Sequence, residues 1–99
     1  MNNLELISKK LDYRTKLESL AEESSELTKA SLKLIRASEL NNNKTPKTEL
    51  EAVADLIEEA IDVCMCLKLI GCLPTEEQIM TSEKWKRWSD RLNAKSNSN

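Results

Sequence analysis

The stretch IEEAIDVCMCLKLIG, Ile57–Gly71, changes character at its middle. On a helical wheel Asp55, Glu59, Asp62 and Cys66 fall at i, i+4, i+7 and i+11, one stripe along one side. Val53, Ile57, Ala60, Ile61, Cys64 and Leu67 occupy the other side. An acidic stripe on an amphipathic helix is ordinarily a solvated face. After Asp62, however, every residue up to Ile70 except Lys68 is apolar or a cysteine. A helix apolar all round is buried all round. Glu59 and Asp62 are therefore expected where the wet face enters the interior. A carboxylate in that position must be protonated, paired or bound to a cation.

Working outward, this helix has clear ends. Thr48 with Glu51 makes a capping box at its start, and Gly71 is placed to stop it after Ile70. Upstream, a short helix is expected over Leu4–Leu11 and a long one over Tyr13–Glu39. The long helix carries Leu17, Leu20, Leu27, Leu34 and Ile35 at the 3.6 period, with Ala21, Ala30 and Ala37 among them. Asn41–Pro46 reads as a polar turn. Downstream, Thr75 and Gln78 form a second capping box, which opens a last helix running to Ala94; residues 95–99, KSNSN, are expected as a flexible tail. The prediction is one all-α domain over residues 1–94, a four-helix-type bundle. The long helix would extend about 40 Å, long for a chain of 99 residues, so a homodimer or homotetramer is expected to complete the core.

Composition narrows the function classes. The chain has one Gly, no His and a formal net charge of −2. Without His, Ser-His-Asp and Cys-His catalysis within one chain are excluded. A single Gly excludes a Gly-rich phosphate loop. The charge balance argues against a nucleic-acid polymer as partner. The start, MNNLELISKKLD, has no apolar core of the signal-peptide kind, and no apolar run is long enough for a membrane span. A cytoplasmic setting is expected. There the three cysteines, Cys64, Cys66 and Cys72, are expected as buried free thiols rather than a disulfide or a zinc set.

The long helix holds a second acidic group in LAEESSELTKA, Leu20–Ala30. Glu22 and Glu26 are i, i+4, and Glu23 and Glu26 are i, i+3, so like charges are brought together. Each glutamate alone reads best as solvated surface. If the two acidic groups face one another inside a bundle, their repulsion grows as the dielectric falls, and a divalent cation relieves it. Hard oxygen donors without His favour Mg²⁺ or Mn²⁺.

Glu-Glu-x-x-Glu on one helix followed by Glu-x-x-Asp on the next resembles the MazG-like family of all-α nucleoside triphosphate pyrophosphohydrolases. The halves here are EESSE (Glu22, Glu23, Glu26) and EAID (Glu59, Asp62). EESSELTKA and the basic segment EKWKRWSDRL also look like that family, and the resemblance covers roughly Lys16–Leu92. The gap between the halves is longer than usual, and many short relatives carry Gln where this chain has Lys16.

The resemblance implies a fold, a cofactor and a reaction. Mg²⁺, held by Glu23, Glu26, Glu59 and Asp62, would bind the triphosphate. Glu22 would orient or deprotonate a water, or complete the metal shell. Attack at the α-phosphorus would give a nucleoside monophosphate and pyrophosphate. On the closing helix Lys84, Arg87 and Arg91 form a basic stripe and Trp85, Trp88 and Leu92 an apolar one. The tryptophans read as packing. The basic stripe reads equally as helix surface or, by the resemblance, as phosphate contacts, to which Arg is suited. Lys29 either touches phosphate or neutralises Glu26, and Tyr13 and Lys16 are weaker candidates for the base or sugar. Two alternatives stand beside the enzyme: a helical oligomerisation or interaction module with solvated acidic stripes, and a nucleotide sensor with the same fold.

Overall fold

The computed structural model describes residues 1–38 and 47–97, and among them it is all-helical. The helices are α1 (Asn3–Lys10), α2 (Tyr13–Ala37), α3 (Glu49–Leu69), α4 (Glu76–Met80) and α5 (Lys84–Asn97). The expected turn Asn41–Pro46 and the expected helix end at Glu39 lie outside the described residues.

Local chemistry sets the ends. The Asn2 and Asp12 side chains cap α1 and α2 by accepting from the backbone N–H of Glu5 and Thr15, at 2.8 and 2.7 Å. Both expected capping boxes form. Thr48 and Glu51 bond reciprocally at the start of α3, and Thr75 and Gln78 at the start of α4. Gly71, at φ 73°, ends α3. Its N–H donates to the Lys68 carbonyl and that of Cys72 to the Leu67 carbonyl, the paired bonds of a Schellman motif.

The last helix departs from expectation. It is divided: α4 stops at Met80 and α5 starts afresh at Lys84. Thr81 turns its hydroxyl back onto the Glu77 carbonyl at 2.8 Å, and Ser82 accepts from the Lys84 N–H at 3.2 Å. Such side-chain bonds compete with helix propagation. The Trp85 indole N–H donates to the Ile79 carbonyl at 2.6 Å and ties the start of α5 to α4. The helix then continues past the expected end at Ala94 to Asn97.

Among the described residues, α2 and α3 are the one pair of helices packed along their length. They form an antiparallel hairpin with Ala30 and Ala52 buried on facing helices and Cys66 buried farther along α3. The face that α3 turns to α2 is the acidic stripe. Asp55, Glu59 and Asp62 are half-buried and Cys66 is buried. On the other side Ile57, Ile61 and Met65 remain 57, 54 and 56% exposed. Of the thiols expected to be buried, only Cys66 is; Cys64 and Cys72 are exposed.

The radius of gyration is 17.8 Å, against about 13 Å for a compact chain of this length. The closed part of one chain is thus the two-helix hairpin. No helix among the described residues is long and apolar enough to cross a membrane.

Candidate functional site

The two acidic groups meet where α2 crosses the middle of α3. Glu23 from α2 and Glu59 and Asp62 from α3 place carboxylate oxygens within 4.8 Å of one another. All three side chains are half-buried. Partial burial, then the charges of Asp62, Glu22 and Glu26, hold the Glu23 carboxyl above its ordinary value. Partial burial, then Asp62, Glu23, Glu26 and Glu58, do the same to Glu59. Cys66 lies beneath the group; burial and the charges of Glu23 and Asp62 raise its thiol, which therefore stays protonated at neutral pH.

Glu26 comes close enough to raise both neighbours, yet it stands outside the three-carboxylate group among the described residues. Its Oε1 accepts from the Lys29 ammonium at 3.1 Å, an i, i+3 pair on α2. Glu22 is exposed on the same helix. The four acids and Glu22 are thus gathered in one region, three of them with oxygens within 4.8 Å of one another.

The remaining expected residues lie elsewhere. Tyr13 is exposed in the first turn of α2, about 15 Å along the axis from Glu23. Lys16 donates to Ser8 Oγ at 3.4 Å and ties α2 to α1. Lys84, Arg87 and Arg91 are all on α5, which does not pack along the hairpin, so one chain does not carry them to the carboxylates. Lys84 instead borders an apolar groove with Pro74, Ile79, Trp85 and Trp88. The two indoles stack with centroids 6.3 Å apart and planes 6° from parallel.

Next to the carboxylates is a cleft of about 170 Å³ that sequence reasoning did not locate. Glu26, Lys29, Ala30 and Lys33 line it from α2, and Lys47, Asp55 and Glu59 from the α3 side. Lys47, just before the α3 cap, is paired with Asp55, which keeps the ammonium charged. The i, i+4 spacing of Lys29 and Lys33 was the available signal for one wall. Lys47 gave none, because its approach to Asp55 depends on how the chain enters α3.

Comparison with protein-family models, with curated proteins and with solved structures finds no match for this chain.

Proposed function

We propose that this chain is a Mg²⁺-dependent nucleoside triphosphate pyrophosphohydrolase of the MazG-like all-α kind, cleaving (d)NTP to (d)NMP and pyrophosphate by water attack at the α-phosphorus. The observation that carries it is the convergence of Glu23, Glu59 and Asp62 oxygens to within 4.8 Å from two helices. The donor set fits the ion. Mg²⁺ takes oxygen ligands at about 2.0–2.1 Å in an octahedron, so its ligand oxygens lie about 3–4 Å apart. Small side-chain rotations close that difference, and partial burial, then the neighbouring carboxylates, raise the Glu23 and Glu59 carboxyls. When bound, Mg²⁺ offsets phosphate charge and acidifies a coordinated water; Mn²⁺ suits the same ligands.

The protein's own groups have separable tasks. Glu23, Glu59 and Asp62 hold the ion. Glu26 joins them on release from Lys29, which frees the Lys29 ammonium for phosphate in the same motion. Glu22, exposed beside the group, orients the attacking water or takes its proton. Tyr13 and Lys16 are assigned to the base or sugar. Lys84, Arg87 and Arg91 reach phosphate only if α5 comes from a second copy, and the exposed face of Ile57, Ile61 and Met65 supports a homodimer or homotetramer. Action on free nucleotides accords with a cytoplasmic location.

The test is a panel of NTPs and dNTPs with Mg²⁺, scored for pyrophosphate. Asp62→Asn and Glu26→Gln are expected to abolish its release and to keep the helical circular-dichroism spectrum. Wild-type rates in both variants would refute the mechanism. The open apolar face also favours a second reading, a helical oligomerisation or interaction module. Failure of the wild type to bind or cleave any nucleotide on the panel selects that module, and binding without cleavage selects a nucleotide sensor.

A further inference from the structure

The cleft beside the carboxylates has a charge pattern that a simple ion-paired surface does not explain. Three ammonium groups, Lys29, Lys33 and Lys47, face three carboxylates, Glu26, Asp55 and Glu59. Lys29 is closed on Glu26 and Lys47 on Asp55. Lys33 has no ion-pair partner among the described residues, and Glu59 belongs to the three-carboxylate group. A divalent cation held by that group takes up the charge of Glu59, leaving the cleft positive where it adjoins the ion. The space is about 170 Å³, well below the roughly 300–1,000 Å³ of pockets that enclose a whole small-molecule ligand. A small, polar, cationic recess next to a metal ion suits part of an anion that the ion also binds.

We infer that this cleft is the subsite for the two terminal phosphates of the nucleotide, with Lys33 and Lys47 as their cationic contacts. The inference rests on the metal-site reading above and adds a direction to it. The cleft spans Glu26–Lys33 on α2 and Lys47–Glu59 on the α3 side, so it lies toward the connection between the two helices. The polyphosphate tail therefore points toward that connection, and the nucleoside points the opposite way along the hairpin. Within one chain the tail is held by α2 and the entry to α3, and that chain's own α5 does not pack along them. Lysine suits the task because its ammonium offers three rotatable donors on a flexible stem, able to leave a carboxylate for a phosphate oxygen.

Inorganic pyrophosphate is the probe, titrated into the full chain by calorimetry with Mg²⁺ saturating and with Mg²⁺ absent. Binding is expected only with Mg²⁺. Lys33→Gln and Lys47→Gln are each expected to weaken it by about tenfold, while Mg²⁺ titrated alone binds as in the wild type. Lys33→Gln is the more secure variant, since it breaks no ion pair among the described residues. The double variant Lys84→Gln, Arg87→Gln is the competing arm, in which α5 of a second copy supplies the phosphate contacts instead of the cleft. Wild-type affinity in both cleft variants overturns the subsite, as does loss confined to the α5 variant. Failure of Mg²⁺ alone to bind the wild type is a distinct result: it removes the metal centre, and the subsite falls with it.

Discussion

Glu23 of α2 and Asp62 of α3 face each other across the helical hairpin with carboxylate oxygens within 4.8 Å, and the charge of Asp62 is one cause of the raised Glu23 carboxyl. The fold thus holds like charges together at a place where the helices also exclude part of the solvent. Removing one of them relieves repulsion and removes a ligand at once. Glu23→Gln is expected to raise the melting temperature of the metal-free protein and to abolish the further rise that Mg²⁺ produces in the wild type. Differential scanning fluorimetry with and without Mg²⁺ reads both effects. A variant that melts lower than wild type and still responds to Mg²⁺ contradicts the assignment.

The pH dependence follows from the same carboxyls. Glu23 and Glu59 are raised above 4.5, so the native state binds their protons more tightly than the unfolded chain does. Their contribution is fully present below about 4.5 and is lost as pH rises through the higher native values. Asp12 and Glu51, lowered from 3.8 and 4.5 by their capping bonds, act in reverse: their contribution is present above those values and lost on acidification. Urea unfolding of the metal-free protein is expected to show a loss of stability on the alkaline side of about pH 4.5. The double variant Glu23→Gln, Glu59→Gln should lack that loss.

The hairpin contact itself can be tested at Ala52, which is 1% exposed on the face α3 turns to α2. Ala52→Leu has no room and is expected to cost about 1–3 kcal/mol. Because the ligands come from both helices, the Mg²⁺-induced rise in melting temperature should shrink in the same variant.

Thr48 anchors the entry to α3. Its hydroxyl accepts from the Glu51 N–H at 3.1 Å, and Glu51 reaches back to the Thr48 N–H at 3.2 Å. Thr48→Ala is expected to cost about 1 kcal/mol, measured by urea denaturation. Thr48→Ser should retain most of that stability.

The open face of α3 predicts association. Ile61 and Met65 are more than half exposed. If a second copy covers them, Ile61→Lys weakens self-association by at least about tenfold, because an unpaired charge is costly to bury. Analytical ultracentrifugation over a concentration series gives the answer, and an unchanged dissociation constant rejects this face as the interface.

Local signals were read well from the sequence. The capping pairs Thr48–Glu51 and Thr75–Gln78 form, and Gly71 takes the left-handed conformation that ends α3. These depend on neighbours a few residues apart. Helical spacing defined each acidic group, but that Glu23 meets Glu59 and Asp62 was implied only by the resemblance, because spacing within one helix does not say which helix faces it. The break at Thr81 and Ser82 was not, because a hydroxyl turning onto the backbone competes with a helix that composition alone favours. Nor was the orientation of α3. Hydrophobic periodicity identifies two faces but not which one meets α2 when the apolar side awaits another partner. The pairing of Lys47 with Asp55 is not legible in the sequence, because Lys47 precedes the helix and helical spacing does not relate the two.

The stacked Trp85 and Trp88 have one further consequence. They are the only tryptophans in the chain, and both lie about half exposed on α5. Tryptophan emission, excited at the red edge where Tyr13 does not absorb, therefore reports on that helix alone. Docking of α5 against any surface moves both indoles out of water and shifts their emission to the blue, while events confined to the hairpin leave it still. The protein carries its own optical gauge of assembly, and it needs no label.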